Sequence, residues 1–315
     1  MTFRRVLKLL SLLFGFVVGI SAAAVAYFTR RMVAPARQPL WTSPSQMGLD
    51  FENVQFPAMD SVRLSGWFIP ARVAEQAKGT IILAHGWLWN RLGDAAADLA
   101  ADISGTTPIE LLRLAHALNY ENYNVLMFDL RNHGESASHP PVTFGQLESN
   151  DLLGALAYLQ TRPDIDKDRI GVVGFCIGAN ALLYALPQTD QIRAAIAVGP
   201  STAAVYADRY ARDLLGMPGL AMLPFVKWAY STIGGVRLDA LQPSFAAAGA
   251  GTTPVLFVQS QGDRWGSVED VNRLRMATPG GQGPIYVDGD HHYRSFQYLI
   301  DNPRPALDFF EEQFG

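Results

Sequence analysis

The sequence predicts an α/β fold, a mostly parallel, doubly wound sheet of about eight strands with helices packed against it. Three observations carry this expectation. Short runs such as TIILA, IGVVGF, AAIAV and PVLFV are apolar at every position, as strands buried on both faces are. Helix-period stretches lie between these runs. The first two strand-like runs are separated only by Ala58-Met59-Asp60-Ser61, a turn that pairs them as an antiparallel hairpin before the strand–helix alternation begins.

In chain order, strands are expected over residues 51–57, 62–69, 80–84, 124–129, 169–175, 192–198, 254–259 and 284–287. Helices are expected over 109–118, 147–160, 177–186, 268–276 and 305–314. Two stretches break the rhythm. Residues 91–106 lengthen the connection after the third strand, and Asp94, Asp98 and Asp102 there fall at helical spacing. Such a trio could suggest a cation site, but it reads as a solvated acidic helix face. Residues 200–250 form an insertion between the sixth and seventh strands, a helical cap over the sheet's carboxyl edge. It is rich in Tyr206, Tyr210, Met217, Met222, Phe225, Trp228 and Tyr230. Its apolar character suits an acyl pocket or a lid touching lipid, while most of these residues are expected simply to pack the cap onto the core.

The amino terminus has a separate character. Residues 9–28 run twenty positions without a charge, which at about 1.5 Å per residue is roughly the thickness of a hydrocarbon core. Arginines bracket the run, and Tyr27 and Phe28 sit where an interfacial belt would fall. Ala24-Val25-Ala26 offers a signal-peptidase site, but the run exceeds the usual apolar region of about 7–15 residues, which favours an uncleaved anchor over residues 1–32. Only the terminal amine tips the flanking charge count, toward a body outside the cytoplasm. Residues 33–49, with three prolines among the first fifteen, read as a linker, and 50–315 as the body.

Composition narrows the function. Residues 1–40 hold six cations and no acid, leaving the other 275 residues with 19 cations against 29 acids. A body of that sign repels phosphate backbones, so nucleic acid is not an expected partner. One cysteine rules out an intramolecular disulfide and a cysteine-rich zinc site. The histidines make no metal-ligand spacing and no phosphate-binding loop motif is present, so neither metal nor cofactor is expected.

The sharpest motif is Gly174-Phe175-Cys176-Ile177-Gly178, where the IGVVGF strand meets a helix. It is the nucleophile-elbow pattern G-x-S-x-G with Cys in place of Ser. A nucleophile on so tight a turn needs small residues two positions before and after, where backbones crowd. The following amide, Ile177 N–H, then points toward a developing oxyanion, and the helix N-terminus favours a thiolate. The structural alternative is a buried cysteine behind a glycine-rich turn.

With this motif in place, residues 50–315 resemble the α/β-hydrolase superfamily. Asp60-Ser61-Val62-Arg63-Leu64-Ser65-Gly66-Trp67-Phe68 is similar to the hairpin preceding its core sheet. His85-Gly86 stands where the superfamily has its oxyanion turn, and Asp129-Leu130-Arg131-Asn132-His133-Gly134-Glu135-Ser136 is similar to its D-x-R-x-H-G-x-S segment. The layout, with its anchored amino terminus, looks like membrane-attached bacterial hydrolases, and the cysteine elbow is similar to that of dienelactone hydrolases. The turn Gly86-Trp87-Leu88-Trp89 departs from the small residues of many relatives, as does the length of 91–106.

The resemblance implies the order nucleophile, acid, base. Asp263, after the PVLFVQ strand, is the acid, with Asp270 as a fallback that otherwise belongs to the surface of the next helix. The base is His292 or His291 in Asp288-Gly289-Asp290-His291-His292; the spacing G-x-x-H-x-x-S favours His292, and the preceding acid favours His291. Trp87 N–H joins Ile177 N–H as the oxyanion hole. His85 organises its turn, His133 is structural, His116 lies on a helix surface and His139 in a loop. The function implied is cleavage of a carboxylic ester, lactone or thioester through an acyl-cysteine, on a small-molecule acyl substrate. Acyl transfer by the same triad, and a catalytically weak ligand-binding or scaffold protein, are the alternatives.

Overall fold

A computed structural model of the chain describes residues 3–97 and 105–315. Its main sheet has eight strands: β1 Glu52–Pro57, β2 Arg63–Ile69, β3 Thr80–Ala84, β4 Asn124–Phe128, β5 Ile170–Phe175, β6 Ala194–Val198, β7 Val255–Ser260 and β8 Gly281–Val287. All eight expected runs are strands. They lie in the order β1-β2-β4-β3-β5-β6-β7-β8. β1 and β2 pair antiparallel, as do β2 and β4, and every other neighbour is parallel. β8 starts three residues earlier than expected, because Pro284 hid a strand whose register shifts between Gln282 and Ile285.

The helices are α1 Phe3–Val33, α2 Leu111–Tyr120, α3 Glu148–Thr161, α4 Ile177–Ala185, α5 Ala203–Gly234, α6 Pro243–Ala247, α7 Val268–Ala277, α8 Arg294–Asp301 and α9 Arg304–Phe314. α8 is too short and too close to the final strand to stand out by period, yet it buries Phe296, Leu299 and Ile300. α5 is two helical segments meeting at Gly216, whose φ of 63° and ψ of −140° no helix accepts. Pro218 follows within the first turn after that break, where a missing N–H costs nothing.

Three expectations change. Residues 33–49 are not a free linker. Val33 is buried and its carbonyl accepts Val142 N–H at 3.1 Å. Arg37 donates to the carbonyls of Gly134 and Ser136, and Gln38 to Leu88 O and Asp94. Asp94 is not on a solvated helix. It lies in a two-residue ladder, Gly93–Asp94 against Ile109–Glu110, and accepts the Tyr293 hydroxyl at 3.0 Å while only 6% exposed. Asp98 and Asp102 lie outside the described residues. The cap aromatics also divide: Tyr206 and Tyr230 are buried, whereas Met217, Phe225 and Trp228 stand exposed.

The loop leaving β4 is tied down by charge. Arg131, buried completely, donates from N and Nε to Asp151 on α3, each at 2.8 Å, and from both terminal nitrogens to Asp60 in the β1–β2 turn at 2.7 Å. Arg91 grips Asp129 in the same way from the loop after β3. A buried carboxylate without its cation is strongly destabilising, so Arg131→Ala, which strands Asp151, should cost about 3–5 kcal/mol. The measurement is urea unfolding, where the midpoint should fall with the slope unchanged.

Candidate active site

Cys176 sits between the end of β5 and the start of α4 with φ 50° and ψ −110°. A side chain rarely adopts this conformation, and holding it costs about 1–3 kcal/mol. It is held from both sides: Cys176 N–H donates to Val198 O at 2.9 Å, and Cys176 O accepts Asn180 N–H at 3.0 Å. The expectation of small flanking residues has a direct cause. A Cβ on Gly174 would strike the Gly178 backbone, and one on Gly178 would strike the Ala84 carbonyl at the end of β3.

Asp263, in the loop after β7, is the best-satisfied carboxylate of the region. Its Oδ1 accepts Trp265 N–H and Gly266 N–H at 2.8 Å, and its Oδ2 accepts His292 Nδ1–H and Gln259 Nε2–H, also at 2.8 Å. Burial works against its charge, yet His292 and these donors hold it well below the usual carboxylate range. For His292, burial alone would lower the pKa. The Asp263 carboxylate, with a smaller contribution from Cys176, raises it to about 10. With Nδ1 committed to Asp263, His292 Nε2 is buried and has no hydrogen-bond partner.

Of the two histidines, then, Asp263 is bonded to His292. His291 is half-buried, stacked on Tyr293 with ring centroids 5.2 Å apart, and lies 5.0 Å from the Trp265 ring. Asp270 is also apart from the pair. It is buried rather than on the surface, and it accepts Thr202 N–H and Oγ1–H at 2.7 and 2.9 Å, pinning the start of α5. Ile177 N–H is the first amide of α4 and so lacks an intrahelical acceptor. The Trp87 amide likewise donates to no backbone carbonyl among the described residues.

His85 and His133 are organisers. His85 donates from Nδ1 to Gly86 O at 2.7 Å and accepts Leu130 N–H at Nε2 at 3.0 Å, so its partners dictate the tautomer. His133 Nδ1 donates to Arg131 O at 2.8 Å. Burial pushes both down to about 4, leaving them neutral at physiological pH. Among the described residues no group of three or more His, Cys, Asp or Glu could hold a metal ion.

Sequence reasoning missed the second layer. Gln259 braces Asp263 from the end of β7, and Arg209 donates to the Asp263 carbonyl at 2.7 Å. Phe296, Tyr206 and Trp265 surround the His292 ring at centroid distances of 4.9, 5.5 and 5.6 Å. The aromatic richness of the insertion was a signal, but not which rings turn inward. Beside this cluster lies a small apolar pocket of about 50 Å³, with Trp87, Phe144, Tyr206 and Tyr210 in its wall.

The charge pair sets a pH dependence. A histidine titrates near 6.5 when unfolded, so a folded value of about 10 means that the stabilisation is complete below about 6.5 and is lost as pH rises through 10. Asp263, held low, contributes stability above about 3.9 that is lost in acid. In Asp263→Asn, burial is left as the main influence and the His292 ring should become neutral at pH 7. NMR of the ring nitrogens, assigned against His292→Gln, should show imidazolium at pH 7 in the parent and neutral imidazole in the variant. The same signal in both would contradict the pairing.

Comparison with known proteins fits this architecture. The chain is 34% identical over 158 residues to the uncharacterized protein YfhR of Escherichia coli O157:H7, covering 50% of this chain and 49% of that protein. It thus spans about half the length of that relative. It is 24% identical to a thiohydrolase of Eupenicillium brefeldianum over 152 residues, 48% of this chain and 43% of the relative. In structure it is similar to the Pyrococcus furiosus esterase Pf2001, with a TM-score of 0.68 and 22% identity over 90% of this chain and all of that one. The sequence model of the alpha/beta hydrolase family matches residues 81–312, from β3 to α9, and the chain belongs to that family.

Proposed function

We propose that this protein is a membrane-anchored hydrolase of carboxylic esters, lactones or thioesters, with Cys176 as nucleophile, His292 as base and Asp263 as the acid that orients it. The observation that carries the proposal is the strained Cys176 turn beside a buried His292–Asp263 pair whose second imidazole nitrogen is uncommitted. Such a nitrogen needs a proton partner, and Cys176 is the nucleophilic side chain that influences it.

The chemistry follows. His292, an imidazolium at pH 7, already carries the proton on Nε2, and Cys176 attacks the acyl carbon as the thiolate. The negative oxygen of the tetrahedral intermediate is met by Trp87 N–H and Ile177 N–H. As the intermediate collapses, the bond from acyl carbon to the alkoxide or thiolate leaving group breaks, and His292 returns its proton to that group. Water then adds to the acyl-cysteine, giving a proton to His292, and as the carbon–sulfur bond breaks the carboxylic acid leaves with the Cys176 thiolate and the imidazolium restored. A thiolate expels a simple alkoxide poorly, so activated esters and thioesters are favoured. Similarity to a thiohydrolase points the same way.

The anchor is the apolar part of α1, Leu10–Val33, 24 residues long. Its side chains from Leu10 to Val18 are solvent-facing in the isolated chain, as a bilayer segment's would be. Residues 1–32 are thereby the anchor, 33–49 the docked connection and 50–315 the hydrolase domain with its cap at about 200–250.

The test is turnover of p-nitrophenyl acetate and of an acyl thioester by the full chain in detergent. Cys176→Ala should lower kcat/KM by about a thousandfold or more, His292→Ala by a similar factor, and the double variant little further, because the residues act as a unit. His291→Ala should leave it nearly unchanged. Turnover retained in Cys176→Ala would overturn the thiol mechanism.

A further inference from the structure

The pocket beside the site is not closed by the hydrolase body alone. Phe28 and Met32 of α1 form part of its wall, opposite Trp87 and Tyr206. A second, wider apolar groove of about 830 Å³ runs between α1 and α5, with Val17, Val25 and Ala26 on one side and Phe225, Trp228 and Ala229 on the other. Met222, a flexible side chain, lines both the groove and the pocket. The groove's lining carries one charged side chain, Arg30.

The cap makes the same point from outside. Phe225, Trp228 and Ile233 are 63%, 68% and 67% exposed, and they adjoin the exposed apolar surface of α1 rather than a polar rim. Large apolar side chains clustered in this way mark an interaction surface. Its continuity with the charge-free stretch of α1 identifies the occupant, because a helix lying against a membrane span shares that span's solvent.

We propose that the α1–α5 groove is a lateral entrance from the bilayer, through which the acyl chain of a membrane-borne lipid ester or thioester passes Met222 to reach Cys176. The substrate class is thus a long-chain acyl compound dissolved in the membrane, delivered from the lipid rather than from water. This rests on the hydrolase assignment above for the reaction, but the route itself is a property of the groove. The pocket beyond Met222 is too small for a long chain, so the chain enters carbonyl end foremost and its tail stays in the α1–α5 groove.

Because Cys176 is the sole cysteine, alkylation reads the route directly. The full chain in phosphatidylcholine vesicles is treated with water-borne iodoacetamide or with bilayer-dissolved N-hexadecyl-iodoacetamide, and the intact mass is followed with time. The variants Ala26→Trp and Ala229→Trp fill the groove from opposite helices. The ratio of long-chain to iodoacetamide rate should fall about tenfold or more in both, since several buried methylenes lose their site. The iodoacetamide rate within each variant reports whether the turn around Cys176 is intact. An unchanged ratio, or no long-chain alkylation of the parent, overturns the route. Hydrolysis of p-nitrophenyl acetate on the same samples separates the two ideas. Turnover with groove-independent alkylation removes the route and keeps the hydrolase. Groove-dependent alkylation without turnover removes the hydrolase and keeps the route.

Discussion

Backbone crowding where β3, β5 and α4 converge is the constraint on which the candidate site depends. Gly178 lies so near the Ala84 carbonyl that any side chain would collide, and Gly174 is in the same position against Gly178. This contact decides two things together. It forces Cys176 into its left-handed turn, lifting the sulfur clear of the strand. It also fixes the exit of β3, and with it the amide of Trp87, relative to the first amide of α4. His85 completes the arrangement, bonded to Gly86 O on one side and Leu130 N–H on the other. The exits of β3, β4 and β5 are therefore one mechanical unit. The departure at Trp89 fits the same unit, since its ring lies directly over Gly86, where a Cβ could not be placed.

Around that unit the protein buries charge only where the charge is answered. Arg131 is shared between Asp151 and Asp60, Arg91 is held by Asp129, and Asp263 takes donors from two backbone amides, a glutamine and His292. The first two clusters are closed, and they hold the hairpin turn, α3 and the loop after β3 to the exit of β4. The third is open at two atoms, Gln259 Oε1 and the ring nitrogen His292 Nε2. A buried polar atom left without a partner is costly.

The cap works on two sides. Asp270 anchors its first residue, Thr202, to α7, and the break at Gly216 lets α5 bend across the site. Tyr206 then turns inward against His292, while Phe225 and Trp228 face away from the core beside α1. One helix therefore dries the imidazole and presents an apolar face continuous with the apolar amino terminus. A dry site strengthens the Asp263–His292 interaction, because fewer waters screen it.

By itself, the sequence determined what is local. Continuously apolar runs marked β3, β5, β6 and β7, since a strand buried on both faces leaves a signature within five or six residues. The glycines around Cys176 marked the elbow, since the crowding they relieve lies within one turn of chain, and Asp263 followed from its place after β7. Tertiary structure alone decided what depends on distant partners. His291 and His292 are adjacent and chemically identical, and only the approach of the β7 loop, 29 residues away in sequence, selects one. Asp94 reads as a surface acid until Tyr293, 199 positions later, closes over it. The proline-rich segment reads as a linker until Arg37 meets the carbonyls of Gly134 and Ser136. The reason is common to all three. Periodicity reports which face of an element is buried, but a hydrogen bond between distant residues exists only when the chain has folded and brought donor and acceptor within 3 Å of each other.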